Sequence, residues 1–247
     1  MSMSISKENL IELNSNDMCL AISMDVVGSE KYSDKSVIEN KLSRITRSLN
    51  LRYKNYLVVP FQIRGGDEVL GVISSFSRGF YIYRYVRRLA WKHNIELYFG
   101  MGFGTLDTGS IIDINRINGS AVINACRAVD KYLKNKSKDN SLVYSQDKQH
   151  VKFFALGDNN IPYPAVNALV YTIYNELNKS EKQRELIKLI ELNPKLTYEE
   201  LGIMLGYDLN NSKSNVSKLL ARSDYDVYLQ MQKDLFNLLS KIQKLCK

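Results

Sequence analysis

Residues 56–74 read YLVVPFQIRGGDEVLGVIS. Two apolar runs, Tyr56 to Ile63 and Val69 to Ser74, flank Arg64-Gly65-Gly66-Asp67-Glu68, and a glycine-containing link between such runs is the pattern of a tight β-hairpin. Upstream, Cys19 to Val27 has the length and β-branched content of a buried strand. Ser36 to Tyr53 then switches to helical spacing, with Ile38, Leu42, Ile45 and Leu49 on one face. Downstream, Ser77 to His93 repeats that spacing through Phe80, Tyr83, Val86 and Ala90, and Ile95 to Phe103 returns to strand. The order β-α-β-β-α-β predicts an α+β, ferredoxin-like or palm architecture, an antiparallel sheet with helices on one face.

Beyond this unit the spacing predicts a third helix over Ser120 to Leu133. Ser141 to Tyr144 and Val151 to Leu156 read as a hairpin added to the sheet, after a polar, basic loop from Lys134 to Asn140. Gly157 to Pro164 holds glycine, two asparagines and two of the four prolines, which marks a domain boundary. Five helical periodicities follow: Ala165 to Leu177, Glu181 to Leu192, Thr197 to Leu205, Ser212 to Ala221 and Asp226 to Leu245. Thr197 and Glu200 form a capping box, and Gly206 to Asn211 is a glycine-containing turn between two helices, the pattern of a helix-turn-helix. The expected division is a polar extension over 1–17, an α/β domain over 18–157, a linker over 158–164, and an all-α domain over 165–247 with its helix-turn-helix at about 181–222.

Composition narrows the function classes. Of 247 residues 45% are apolar and 24% charged, as in ordinary folded protein. The most apolar early run carries Asp25, and Met1 to Asp17 has no apolar core before a cleavage site, so neither a membrane span nor a signal peptide is expected and the expected location is cytoplasmic. Three widely spaced cysteines, Cys19, Cys126 and Cys246, do not form a disulfide framework. His93 and His150 lack ligand-spaced neighbours, which leaves a hard cation on carboxylates as the expected metal. The net charge is +8, yet residues 180–247 carry eleven basic and nine acidic side chains, so most of the excess lies upstream.

Asp25 ends the first strand and Asp67 follows the hairpin glycines, and the expected topology makes their strands neighbours. Adjacent carboxylates repel, and Mg²⁺ takes one or two carboxylates together with substrate phosphate oxygens, so the pair suits Mg²⁺ or Mn²⁺ with a nucleoside triphosphate. Gly65 and Gly66 permit a sharp bend beside such a ligand.

Met24-Asp25-Val26-Val27-Gly28-Ser29 resembles the metal-binding start of class III nucleotidyl cyclase domains, and Gly66-Asp67-Glu68 their second metal-binding motif. Gly65-Gly66-Asp67-Glu68-Val69 is one residue from the diguanylate cyclase signature. Phe99 to Gly104 is similar to the cyclases' glycine-rich strand, although alternating glycines also permit close helix packing. Gly119 to Arg127 resembles the helix with their transition-state Asn and Arg. The whole chain resembles the SatD family, in which a cyclase-like domain precedes a helix-turn-helix. The cyclase resemblance implies metal binding by Asp25 and Asp67, nucleotide contacts from Val26, Gly28, Ser29, Gly65, Gly66 and Glu68, and catalysis by Asn124 and Arg127 across a homodimer. The chain departs from the cyclases in the three-residue spacing of Asn124 and Arg127 and in Ile63 where the adenine-selecting Lys stands.

On the second helix of the helix-turn-helix, Ser212, Lys213, Ser214, Asn215, Ser217, Lys218 and Arg222 supply donors for phosphate and base edges, while Val216, Leu219 and Leu220 face inward. Arg84, Arg87, Arg88 and Lys92 share one face of the earlier helix, read as solvated or as a phosphate contact. Two functions fit. One is a Mg²⁺-dependent nucleotidyl cyclase or transferase coupled to a DNA reader; the other is a transcription regulator whose cyclase-like domain senses a ligand or dimerises.

Overall fold

The computed structural model describes residues 10–14, 16–107, 114–135, 146, 150–158, 160–175 and 180–246. Among them are five strands in one sheet and eight α-helices. The expected strand over 141–144 lies outside the described residues. Strands β1 (Cys19–Val26), β2 (Leu57–Arg64), β3 (Glu68–Ile73), β4 (Leu97–Gly104) and β5 (Val151–Leu156) lie in the order β2-β3-β1-β4-β5. Each neighbouring pair among the first four is antiparallel; β5 runs parallel to β4.

The alternation of side chains sorts the sheet into two faces. Leu20 stands opposite Phe103 and Ile22 opposite Met101, whereas Ala21 stands opposite Gly102 and Ser23 opposite Gly100. Helix α2 (Phe76–His93) packs on the Leu20 face, where a Cβ on Gly79 would come within 2.0 Å of Leu20, and α1 (Lys35–Arg52) lies beside it with Ile38, Leu42, Ile45 and Leu49 buried. Asp34 caps α1 by accepting from the Ser36 N–H at 2.8 Å.

Helices on one face only were expected, and here the structure differs. Helix α3 (Ser120–Arg127), continued by a π-helical turn (Ala128–Lys134), covers the Ala21 face. It does so because β4 offers only glycines where α3 crosses: a Cβ on Gly100 or Gly102 would come within 2.4 or 2.1 Å of the Ala125 or Ala121 carbonyl oxygen. The chain thus leaves β4, crosses by α3 and re-enters the sheet as β5. A crossover of this kind joins parallel strands, so the sheet is mixed rather than wholly antiparallel.

The described chain divides into two compact units, residues 1–168 with 236–247, and residues 169–235. The division falls inside α4 (Tyr163–Asn175). In the second unit, α5 (Glu181–Leu192), α6 (Tyr198–Met204) and α7 (Leu209–Ala221) enclose a core of Leu186, Leu201, Leu205, Val216 and Leu220. The Thr197 and Glu200 capping box is formed, and Gly206 turns the chain at φ 80°. Helix α7 starts three residues earlier than its apolar spacing suggests. Helix α8 (Tyr225–Leu245) begins in this unit, and its part from Phe236 onward belongs to the first, where Phe236 meets Tyr81 with ring centroids 5.0 Å apart.

Candidate functional site

The hairpin and the β1–β3 register assemble the carboxylates. Gly65 and Gly66 both take positive φ, 63° and 94°, in the three-residue link between paired Arg64 and Glu68. Asp67 sits in that link, and Glu68 stands directly opposite Asp25. Cross-strand partners project from the same face, so Asp25 and Glu68 emerge together on the α3 side.

Each carboxylate has a defined partner. The Asp25 Oδ2 accepts from Lys134 Nζ at 2.7 Å, and Lys134 also reaches Asp130 at 3.3 Å. Asp67 Oδ2 accepts from Ser29 Oγ at 2.7 Å. Glu68 takes a bidentate pair from Arg64, at 3.0 Å from Nε and 2.7 Å from Nη2, and a 3.0 Å bond from Ser23 Oγ. Burial raises the Asp25 pKa; the Lys134 bond and charge oppose that rise, and the charges of Asp67 and Glu68 add to it. The Lys134 pKa is also raised, since Asp25 and Asp130 outweigh the opposing effect of its partial burial. Against Asp25, Asp67, Glu68 and Asp130 stand two cations, Lys134 and Arg64, so the cluster keeps net negative charge.

A cavity of about 320 Å³ opens beside Asp67, within the size range of small-ligand sites. Ser29 and Glu30, Lys35, Ile38 and Glu39 of α1, and Gly65, Gly66 and Asp67 line it. The first turn of an 18-residue helix thus borders the cavity, with N–H groups that favour an anion. Among the described residues no group of three or more His, Cys, Asp or Glu is placed to hold a metal ion.

The family model described as the SatD family matches residues 19–239. This chain belongs to the SatD family. No curated protein matches it.

In this SatD-family chain the residues singled out by sequence separate into groups. Ser29, Gly65, Gly66 and Asp67 meet at the cavity, whereas Asp25 and Glu68 stand opposite one another on adjacent strands and do not line it. Gly28, at φ 66°, turns the chain into the short 3₁₀ turn that carries Ser29. Val26 is buried on the face opposite to Asp25, as strand alternation requires. Asn124 is buried, its amide donating to the Phe103 carbonyl at 2.9 Å and to Asp158 at 3.3 Å, and Arg127 is exposed. In the second unit Lys213, Ser214, Ser217, Lys218 and Arg222 are exposed and Asn215 is half-buried. Ser212, expected among them, is instead 0% exposed, because it packs where a Cβ on Gly202 would come within 2.6 Å of it. It is therefore a helix-crossing residue. Lys134 was not singled out by the sequence: it lies 109 positions from Asp25 at the end of a helix, and no local pattern links the two.

Proposed function

We propose that the first unit is a ferredoxin-like, nucleotidyl cyclase or palm-type domain that binds a nucleoside triphosphate or related nucleotide with Mg²⁺ or Mn²⁺. The second unit is a helix-turn-helix that reads DNA, and the chain serves a regulatory role. The observation that carries this reading is the placement of Asp25 opposite Glu68 with Asp67 at the neighbouring cavity. The strand order β4-β1-β3-β2 within the sheet supports the ferredoxin-like assignment.

The donor set suits the cation: Asp25 and Asp67 offer hard carboxylate oxygens, and charge beyond that of Lys134 and Arg64 is left to neutralise. A bound divalent cation would supply charge neutralisation for the phosphates. The chain's own groups do the rest. Ser29 orients Asp67, Arg64 and Ser23 fix Glu68, and Lys134 opposes the rise that burial gives the Asp25 pKa. Gly65 and Gly66 leave open space beside the ligand, nothing lying within 4 Å of where a Cβ would stand. In the second unit, α7 presents Lys213, Ser214, Ser217, Lys218 and Arg222 outward, the arrangement a major-groove helix needs.

Sensing without turnover is the version we favour, because the Asn124 amide is already engaged by Phe103 and Asp158. Titration of the full chain with fluorescent nucleoside triphosphates and Mn²⁺ should give saturable binding, lost in Asp67→Ala and weakened at least tenfold in Asp25→Ala, with no cyclic product on chromatography. Absence of binding for every triphosphate with either cation would end the nucleotide reading. Formation of a cyclic product, lost in both variants, would replace sensing with catalysis.

A further inference from the structure

From residue 40 to residue 95 the chain carries eleven Lys and Arg against two acids, Asp67 and Glu68, and both acids belong to the site described above. Helix α2 holds no acidic residue, and α1 holds only Glu39, in its first turn and a half. These helices share one face of the sheet, so the charge excess of the whole molecule is concentrated on one layer. The layer is continuous rather than scattered. At one end Lys41 and Arg44 of α1 stand with Lys92 around His93, whose pKa is lowered first by partial burial and then by those three charges. Towards the other end Arg52 lies over the Tyr85 ring at 4.8 Å, Arg88 reaches the same ring at 5.9 Å, and Arg78 covers Tyr56 at 4.8 Å. Arg44, Arg47, Arg52 and Lys92 are exposed.

We infer that the α1–α2 layer of the first unit is a docking surface for the phosphate backbone of duplex DNA, distinct from the helix-turn-helix and independent of sequence. Three observations select that partner. The charge is of one sign and lies along helices, and from Lys41 to Arg52 the rise of 1.5 Å per residue gives about 16 Å, the span of about five phosphates at 3.4 Å along a strand. The tyrosine rings are covered by guanidinium groups, which removes them as platforms for unpaired bases and disfavours a single strand. The exposed face of α1 offers one large apolar anchor, Leu51 at 67% exposure, beyond Val37 near its start, too little for insertion into a lipid surface.

The test uses the full chain and a 20-base-pair duplex of arbitrary sequence, with affinity read by fluorescence anisotropy between 50 and 200 mM NaCl. Arg44→Glu/Arg47→Glu should weaken binding at least tenfold at 50 mM and flatten the log–log salt slope by about 1.8, at 0.9 for each phosphate no longer neutralised. Arg44→Lys/Arg47→Lys should bind as wild type does. Circular dichroism shows whether both variants are folded. In a Lys218→Ala/Arg222→Ala background the arbitrary duplex should still bind, and the α1 reversal should remove that binding, so failure of this surface and failure of the helix-turn-helix reading are told apart. Unchanged affinity and slope in a folded Arg44→Glu/Arg47→Glu chain would overturn the proposal. So would flotation on phosphatidylserine vesicles that depends on Arg44 and Arg47 while duplex binding does not.

Discussion

Lys134 is the residue on which the site turns. Its ammonium meets Asp25 at 2.7 Å where a second carboxylate, Asp67, is already close enough to raise the Asp25 pKa, so it serves as a tethered counter-ion. The raised Asp25 pKa has a definite sign. The folded state binds the proton more tightly than the unfolded chain, so this group's contribution to stability falls as pH rises from its ordinary value of 3.8 through the folded value. Lys134→Ala removes the opposing cation and should steepen that fall. We expect a loss of about 1 kcal/mol near neutral pH, modest because Lys134 is 40% exposed, and none at pH 3. Millimolar Mn²⁺ should restore the loss if a divalent ion takes the ammonium's place. Equal melting temperatures for variant and wild type at pH 7, with or without Mn²⁺, would refute this role for Lys134.

Among elements, β4 decides the architecture. Gly100, Gly102 and Gly104 face α3 at distances where added Cβ atoms would meet helix backbone, which cannot move aside as a flexible side chain can. Gly102→Ala should therefore destabilise the first unit by about 2–3 kcal/mol in urea unfolding, while Gly65→Ala in the open hairpin should cost only about 1–2 kcal/mol through its left-handed φ. A Gly102→Ala cost below that of Gly65→Ala would count against α3 as the layer that closes this face. Strands β1 to β5, the β2–β3 hairpin and both flanking helices were legible in the sequence because period and turn chemistry are local signals. That α3 covers the opposite face was not, since alternating glycines report close approach without saying what approaches. The partners of Asp25 and Glu68 were equally hidden: Lys134 arrives through a π-helical turn, and Ser23 reaches Glu68 only once the β1–β3 register exists.

At the scale of the whole molecule, the unit boundaries do not follow the order of the chain. The amphipathic pattern of α8 was readable as a helix needing an apolar partner, but nothing nearby in sequence names that partner. From Phe236 onward it includes α2, where Phe236 meets Tyr81. Gln243 accepts from the Phe76 N–H at 3.0 Å and donates to the Ser74 carbonyl, so a side chain 167 positions away satisfies a first-turn amide that the N-cap residue Ser75 leaves without a side-chain bond. Gln243→Ala should speed hydrogen exchange at the Phe76 amide by roughly tenfold, the equivalent of about 1.4 kcal/mol, and leave the amides of α7 untouched. Unchanged exchange at Phe76 would mean that the helix start is secured without α8.

That return of the chain bears on how the protein comes to exist on the ribosome. Residues 169–235 are all synthesised before the last segment of the first unit, 236–247, so the unit begun first is completed second in the order of synthesis. Without Gln243 the Ser74–Phe76 corner keeps its bond to the Tyr56 carbonyl and the Phe76–Phe103 ring contact but loses its clasp, so a chain shortened before Gln243 should be cut there by protease more readily than the full chain.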